Sequence, residues 1–130
     1  MSLVAQLSAL ATRIGTEIKG LIRPDHPGLA RAWVNFGYVG GEVQLRAAYN
    51  VASVTRLAKG RYRIAFETPF PDAKYCWVAT GRSSTATGTI RFAAARGTTD
   101  SKTADTLDLV CTSAAASLAD TPEVSLVVYR

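Results

Sequence analysis

The residues able to do chemistry in this 130-residue chain are few and poorly spaced for it. The one histidine, His26, sits inside the run Arg23-Pro24-Asp25-His26-Pro27-Gly28. With no second histidine and no paired cysteines it lacks the company a zinc site needs. No nucleophile-elbow sequence accompanies it, so a Ser-His-Asp relay is not indicated and His26 reads as an exposed turn residue. Asp105 and Asp108 are close in sequence, but their odd separation places them on opposite faces of a strand. Their spacing therefore does not suggest an acid/base pair for glycoside cleavage. Gly37, Gly40 and Gly41 fall between strand-like runs rather than before a helix, which fits a hairpin turn better than a phosphate cradle. Cys76 and Cys111 are too few for a disulfide framework, and each lies in an apolar run, so two buried reduced thiols are expected, with a single bridge between them as the alternative. No catalytic, cofactor or metal site is expected, and the chain does not read as an enzyme.

Charge is unevenly placed. Nine basic residues (Arg46, Arg56, Lys59, Arg61, Arg63, Lys74, Arg82, Arg91 and Arg96) face only Glu67 and Asp72 between residues 46 and 96. The stretch 100–123 reverses this, with Asp100, Asp105, Asp108, Asp120 and Glu123 against Lys102. Arg56, Lys59, Arg61 and Arg63 form a candidate partner-docking face for an acidic neighbour. The alternative is a solvated face balanced in space by the acidic stretch. Most aromatics (Trp33, Phe36, Tyr49, Tyr62, Phe66, Tyr75, Trp77, Phe92 and Tyr129) fall in strand-like runs, where core packing is the ordinary role; Tyr38 and Phe70 lie in connections. The long loops starting at Arg82, Gly97 and Ser113 carry no aromatic residue, so a stacking platform for nucleic acid is not expected there.

The elements that must position these residues are of two kinds. Leu3, Leu7, Leu10, Ile14, Ile18 and Leu21 recur at spacings of 4, 3, 4, 4 and 3, the period of a helix with one apolar stripe. A helix this short is marginal alone in water, and its stripe needs a partner. The simplest is the same helix from another copy; packing on the chain's own domain is the alternative. Arg13, Glu17 and Lys19 interrupt the run and its start is not basic, which argues against both a membrane span and a secretory signal. Pro24 ends the helical pattern. Beyond residue 30, runs of β formers alternate with turn clusters, predicting strands near 30–37, 42–47, 50–57, 61–67, 75–82, 88–95, 105–112 and 123–129. The cleanest alternation sets Tyr62, Ile64 and Phe66 against Arg61, Arg63 and Glu67.

The expected architecture is therefore mainly β, an antiparallel β-sandwich of about eight strands with an N-terminal oligomerisation α-helix. Residues 1–22 form the helix, 23–29 a linker and 30–130 the β-sandwich domain. Trp33, Val34, Phe36, Val51, Ile64, Phe66, Trp77, Ile90, Leu109 and Val127 are expected to be largely buried, in the domain or between copies.

The run Ala32-Trp33-Val34-Asn35-Phe36, then Gly40-Gly41, Arg46, Tyr49-Asn50-Val51, Ser53-Val54, Gly60, Tyr62-Arg63-Ile64-Ala65-Phe66 and Pro71-Asp72-Ala73 before Tyr75 resembles a domain recurrent in bacteriophage tail fibres. The likeness covers about residues 30–80, with a matching Val-Val-Tyr-Arg ending. It implies a homotrimeric, mostly β protein on the virion surface, assembled in the host cytoplasm and associated with other virion proteins of capsid or tail. Most such domains end a longer fibre, whereas this chain starts with its own Met, so a short spike, a head fibre or a capsid decoration protein suits its size. The alternative it implies is a receptor-binding tip that holds a host surface glycan. The resemblance brings no catalytic motif.

Overall fold

Ser2 starts the first element: its hydroxyl accepts a hydrogen bond from the Ala5 N–H at 3.1 Å, an N-cap that satisfies one orphan donor. From there α1 runs from Leu3 to Leu21 and closes where Ile22 donates its N–H to the Ile18 carbonyl. The computed structural model describes residues 2–83 and 89–130. After a connection of residues 22–29 come β1 (Ala30–Val39), β2 (Glu42–Tyr49), β3 (Val51–Ala58), β4 (Arg61–Phe66), β5 (Cys76–Arg82), β6 (Arg91–Ala94), β7 (Thr106–Ser113) and β8 (Glu123–Tyr129). The chain is thus mainly β with one N-terminal helix among the described residues, as its patterning predicts. The expected connection 82–87 and the start of the expected strand 88–95 fall largely on residues 84–88, outside the described residues, and β6 itself covers only Arg91–Ala94.

The strands pair antiparallel in the order β2-β1-β8-β5-β6-β7-β4-β3. Where two separate sheets were expected, all eight strands belong to one hydrogen-bonded, near-barrel sheet that curls around a single core. Among the described residues, its halves, β2-β1-β8-β5 and β6-β7-β4-β3, are joined through the register pair Gly81 and Arg91. The faces meet where the Phe36 ring of β1 packs edge-on against Tyr62 of β4, 5.2 Å between centroids. The sheet's two edges, β2 and β3, are consecutive strands separated only by Asn50. Asn50 turns the corner in the left-handed region (φ 53), which Asn tolerates better than most residues. Its side chain holds the bend, donating to the carbonyls of Arg31 and Thr68 and accepting the Thr68 N–H at 2.6 Å.

The glycine connection is tighter than its sequence suggests. Tyr38 and Val39 extend β1, leaving Gly40 and Gly41 as a two-residue turn with φ of 64° and 85°. That is the geometry a hairpin needs and that glycine supplies without steric cost.

The core is built from alternating positions: Ala32, Val34 and Phe36 of β1, Tyr62, Ile64 and Phe66 of β4, Leu107, Leu109 and Cys111 of β7, and Val124, Leu126 and Val128 of β8. Phe70 and Tyr75, from the segment between β4 and β5, join Phe66 with ring centroids 4.7 to 5.6 Å apart. Phe70, expected in a connection, thus belongs to the core.

Several expected facings are corrected. Val34, Phe36, Val51, Ile64, Phe66 and Leu109 are buried, and Trp77 packs against them. Trp33 keeps 39% of its surface and Ile90 57%, and Val127 stands on the outer face of β8 between buried Leu126 and Val128, so the domain itself does not bury these three, which leaves only the other half of the expectation, burial between copies. Tyr49, Phe92 and Tyr129 also face outward. Cys76 is exposed, while Cys111 is buried; both are free thiols. The common cause is adjacent apolar pairs such as Trp33-Val34, Trp77-Val78 and Val127-Val128, which make both faces of a strand apolar and leave periodicity unable to choose between them.

Candidate functional site

The basic middle and the acidic stretch meet in space. Arg56 on β3 and Asp120 form a two-pronged pair, Nε to Oδ1 at 2.9 Å and Nη2 to Oδ2 at 2.8 Å. Arg63 on β4 grips Asp108 of the neighbouring β7 in the same way, at 2.7 and 2.8 Å. Arg61 reaches Asp100 and the Thr99 carbonyl, and Arg96 closes on Asp100 as well. Such forked guanidinium–carboxylate bonds are the strong, geometry-specific class. Of the four residues of the candidate docking face, Arg56, Arg61 and Arg63 are therefore engaged by the chain's own carboxylates, and Lys59 is exposed in the β3–β4 turn. Balance in space by the acidic stretch is the arrangement this chain adopts.

These pairs also explain a strand with two buried faces. Asp108 is only 2% exposed although it points away from the main core. The segment before β7 folds over it: the Ser101 N–H donates to Asp108 Oδ2, and the Asp108 N–H donates to the Ser101 carbonyl. The hydrogen bonds from Arg63 hold the Asp108 carboxyl below its usual range, and those from Arg96 do the same for Asp100.

Asp120 is the most connected carboxylate. Besides Arg56, it accepts the Gly60 N–H and the Tyr62 hydroxyl, each at 3.0 Å. The Arg56 hydrogen bonds lead in lowering its pKa to about 2, against opposition from burial. Burial chiefly pushes Tyr62 upward. Gly60 has to be glycine here: φ is 66°, and a Cβ would lie 2.6 Å from the Ala119 nitrogen. With three donors on Asp120 Oδ1 and one on Oδ2, the cluster locks the segment 114–122 onto β3 and β4. Cys111 lies beside it, and burial raises its thiol to about 11, an inert rather than nucleophilic setting. His26 accepts the Gly28 N–H within its own turn, and Asp105 is exposed outside β7. Among the described residues, no group of His, Cys, Asp and Glu is arranged to hold a metal.

Two other surfaces bear on function. The first is α1. None of its residues is buried, and Leu3, Leu7, Leu10, Ile14, Ile18 and Leu21 are all exposed, so the stripe does not pack on the chain's own domain. No described helix is long and apolar enough to cross a membrane. The second is a cavity of about 500 Å³ where the linker meets the sheet, lined by Leu29, Arg31, Tyr49, Glu67, Pro69 and Arg130 among others. Arg130 is held by Asp72 at 2.8 Å, whereas the Arg31 Nε is buried with no acceptor among the described residues.

Sequence reasoning missed the Asp120 and Asp108 clasps, whose partners lie 64 and 45 residues apart; no local signal marks them. It also missed the outward apolar residues, for which the adjacent apolar pairs were the available signal. In comparison with known proteins, no family model, no curated protein and no solved structure matches this chain.

Proposed function

We propose that this chain is a structural virion protein of a tailed phage or phage-like particle, a trimeric surface fibre, spike or capsid decoration protein that displays its β domain outward. One observation carries the assembly part of this reading: a capped 19-residue helix presents a continuous apolar stripe with no residue buried. Its hydrophobic side chains gain nothing until a partner removes them from water, and three copies side by side supply that partner in a bundle about 30 Å long. The virion setting rests on the likeness of residues 30–80 to tail-fibre domains.

The test is direct. Full-length protein measured by light scattering at micromolar concentration should be trimeric, and Leu10→Lys with Ile14→Lys should make it monomeric while the β domain's thermal transition stays in place. A monomeric wild type overturns the reading. Locating the protein on its parent particle by cryo-electron microscopy then distinguishes head from tail.

A second reading, a tip that binds a host glycan, is favoured by the cavity at the linker end. Tyr49 offers a flat apolar ring there, and Arg31 and Glu67 offer planar polar groups able to meet sugar hydroxyls. Glycan-array binding that Arg31→Ala abolishes would support it; a blank array with a stable particle-bound protein would leave the structural reading alone.

A further inference from the structure

The outer face of β2-β1-β8-β5 carries a row that neither the core nor the ion pairs explain. Tyr49, Trp33, Val127 and Val78 stand abreast on four neighbouring strands, Trp33 opposite both Tyr49 and Val127, and Val127 opposite Val78. Tyr49 and Val78 keep more than half their surface, at 56% and 63%. One position nearer the linker, Tyr129 and Cys76 face each other on the same side. On the other side lie the Asn35–Ser125 hydrogen bond and the Arg82–Glu123 pair. An apolar strip anchored by Trp and Tyr and edged by satisfied polar groups is the composition of a protein interface.

We infer that this strip is a second contact between copies of the chain, docking a neighbouring protomer's domain in the assembly that α1 gathers; the inference rests on the oligomeric reading above. The occupant follows from continuity and tethering. Leu21, Ile22 and Leu29 are exposed and extend the apolar surface from α1 toward the start of β1. Only residues 22–29 separate helix from sheet, and Pro24 and Pro27 stiffen that stretch. A copy held at α1 therefore keeps its domain close to this face, an effective concentration on the order of millimolar for a short connection. The row itself carries no charge that a second copy would have to desolvate.

The chain carries its own probe. Cys76 lies on this face, and buried Cys111 serves as the unreactive control. Maleimide labelling of the full-length wild type should modify Cys76 about tenfold more slowly than in the Leu10→Lys, Ile14→Lys monomer. As a second measurement, Val78→Glu, an exposed position, should leave the domain's thermal transition unchanged and weaken the oligomer about tenfold on dilution. Equal labelling rates in an oligomeric wild type and in the monomeric variant overturn the inference while sparing the helix. An unaffected oligomer in Val78→Glu does the same. A double-lysine variant that stays oligomeric with Cys76 protected supports the sheet contact and removes the helix as driver. A monomeric wild type overturns both.

Discussion

The helix and the β domain solve the same problem in opposite ways. Every apolar residue of α1 faces water, and its one side-chain ion pair, Arg13 with Glu17 at 3.0 Å, is an exposed surface pair of little energetic weight. In the domain, alternate residues of five strands enter one core, and the guanidinium groups of β3 and β4 close on carboxylates half the chain away. The difference shows where each region's partner is encoded. The domain carries its partners within the sequence, so it has the contents of an independent fold. The helix presents an apolar stripe that nothing in the chain covers, so on the oligomeric reading proposed above its stability would belong to an assembly and depend on concentration.

That contrast can be broken most forcefully in the core. Phe66 lies against Phe70 and Tyr75 with centroids 4.7 and 5.6 Å away. Phe66→Ala should destabilise the domain by roughly 3–5 kcal/mol in a denaturant titration, with the subunit number of the remaining folded protein unchanged. A loss below about 1 kcal/mol would mean that the three rings do not form a close-packed unit.

A smaller effect tests the clasp. Removing Asp120 leaves Arg56, the Gly60 N–H and the Tyr62 hydroxyl without their common acceptor, and Asp120→Ala should cost about 3 kcal/mol. The same carboxylates give the domain an acid limit. Asp120, Asp108 and Asp100 all have folded pKa values below the unfolded value of 3.8. Their contribution is therefore complete above about pH 4 and is lost as pH falls through the folded values, about 2 for Asp120. Thermal melts at pH 5, 3 and 2 should show the loss, and Asp120→Ala should flatten it. A wild-type melting temperature unchanged to pH 2 would show that these pairs contribute nothing.

The smallest change sharpens the helical side. Gly15 has open space around the position of a Cβ, so Gly15→Ala should stabilise each helix by about 1 kcal/mol without a clash. Circular dichroism should show a higher-melting oligomer and an unmoved β transition; a shift of both would tie the helix to the domain.

The same contrast marks how much the sequence makes legible. Strand positions followed from local signals: turn residues and the alternation of Tyr62, Ile64 and Phe66 placed most strands within a residue or two. The helix was legible from its 3.6-residue period and from Pro24 just beyond it. Facing was not legible where neighbours were both apolar, as at Trp33-Val34 and Val127-Val128, because a one-residue choice then changes the pattern little. The clasps were not legible at all. The charge imbalance between residues 46–96 and 100–123 was visible, but which arginine met which aspartate depended on β4 lying beside β7 and on the segment 114–122 folding back over β3 and β4, and those are properties of topology.

The Gly40–Gly41 turn has a practical side. Antiparallel pairing sends β1 away from the linker, so this turn lies at the opposite end of the sheet, as do the turn at residues 59–60 and the segment 114–122. The last two are bolted together through Asp120, whereas both turn glycines have nothing within 4 Å of an added Cβ. A peptide grafted between Gly40 and Gly41 would ride at the far tip, clear of α1 and the core; in the assembly proposed above every subunit would carry one, which would make the fold a multivalent scaffold for foreign epitopes.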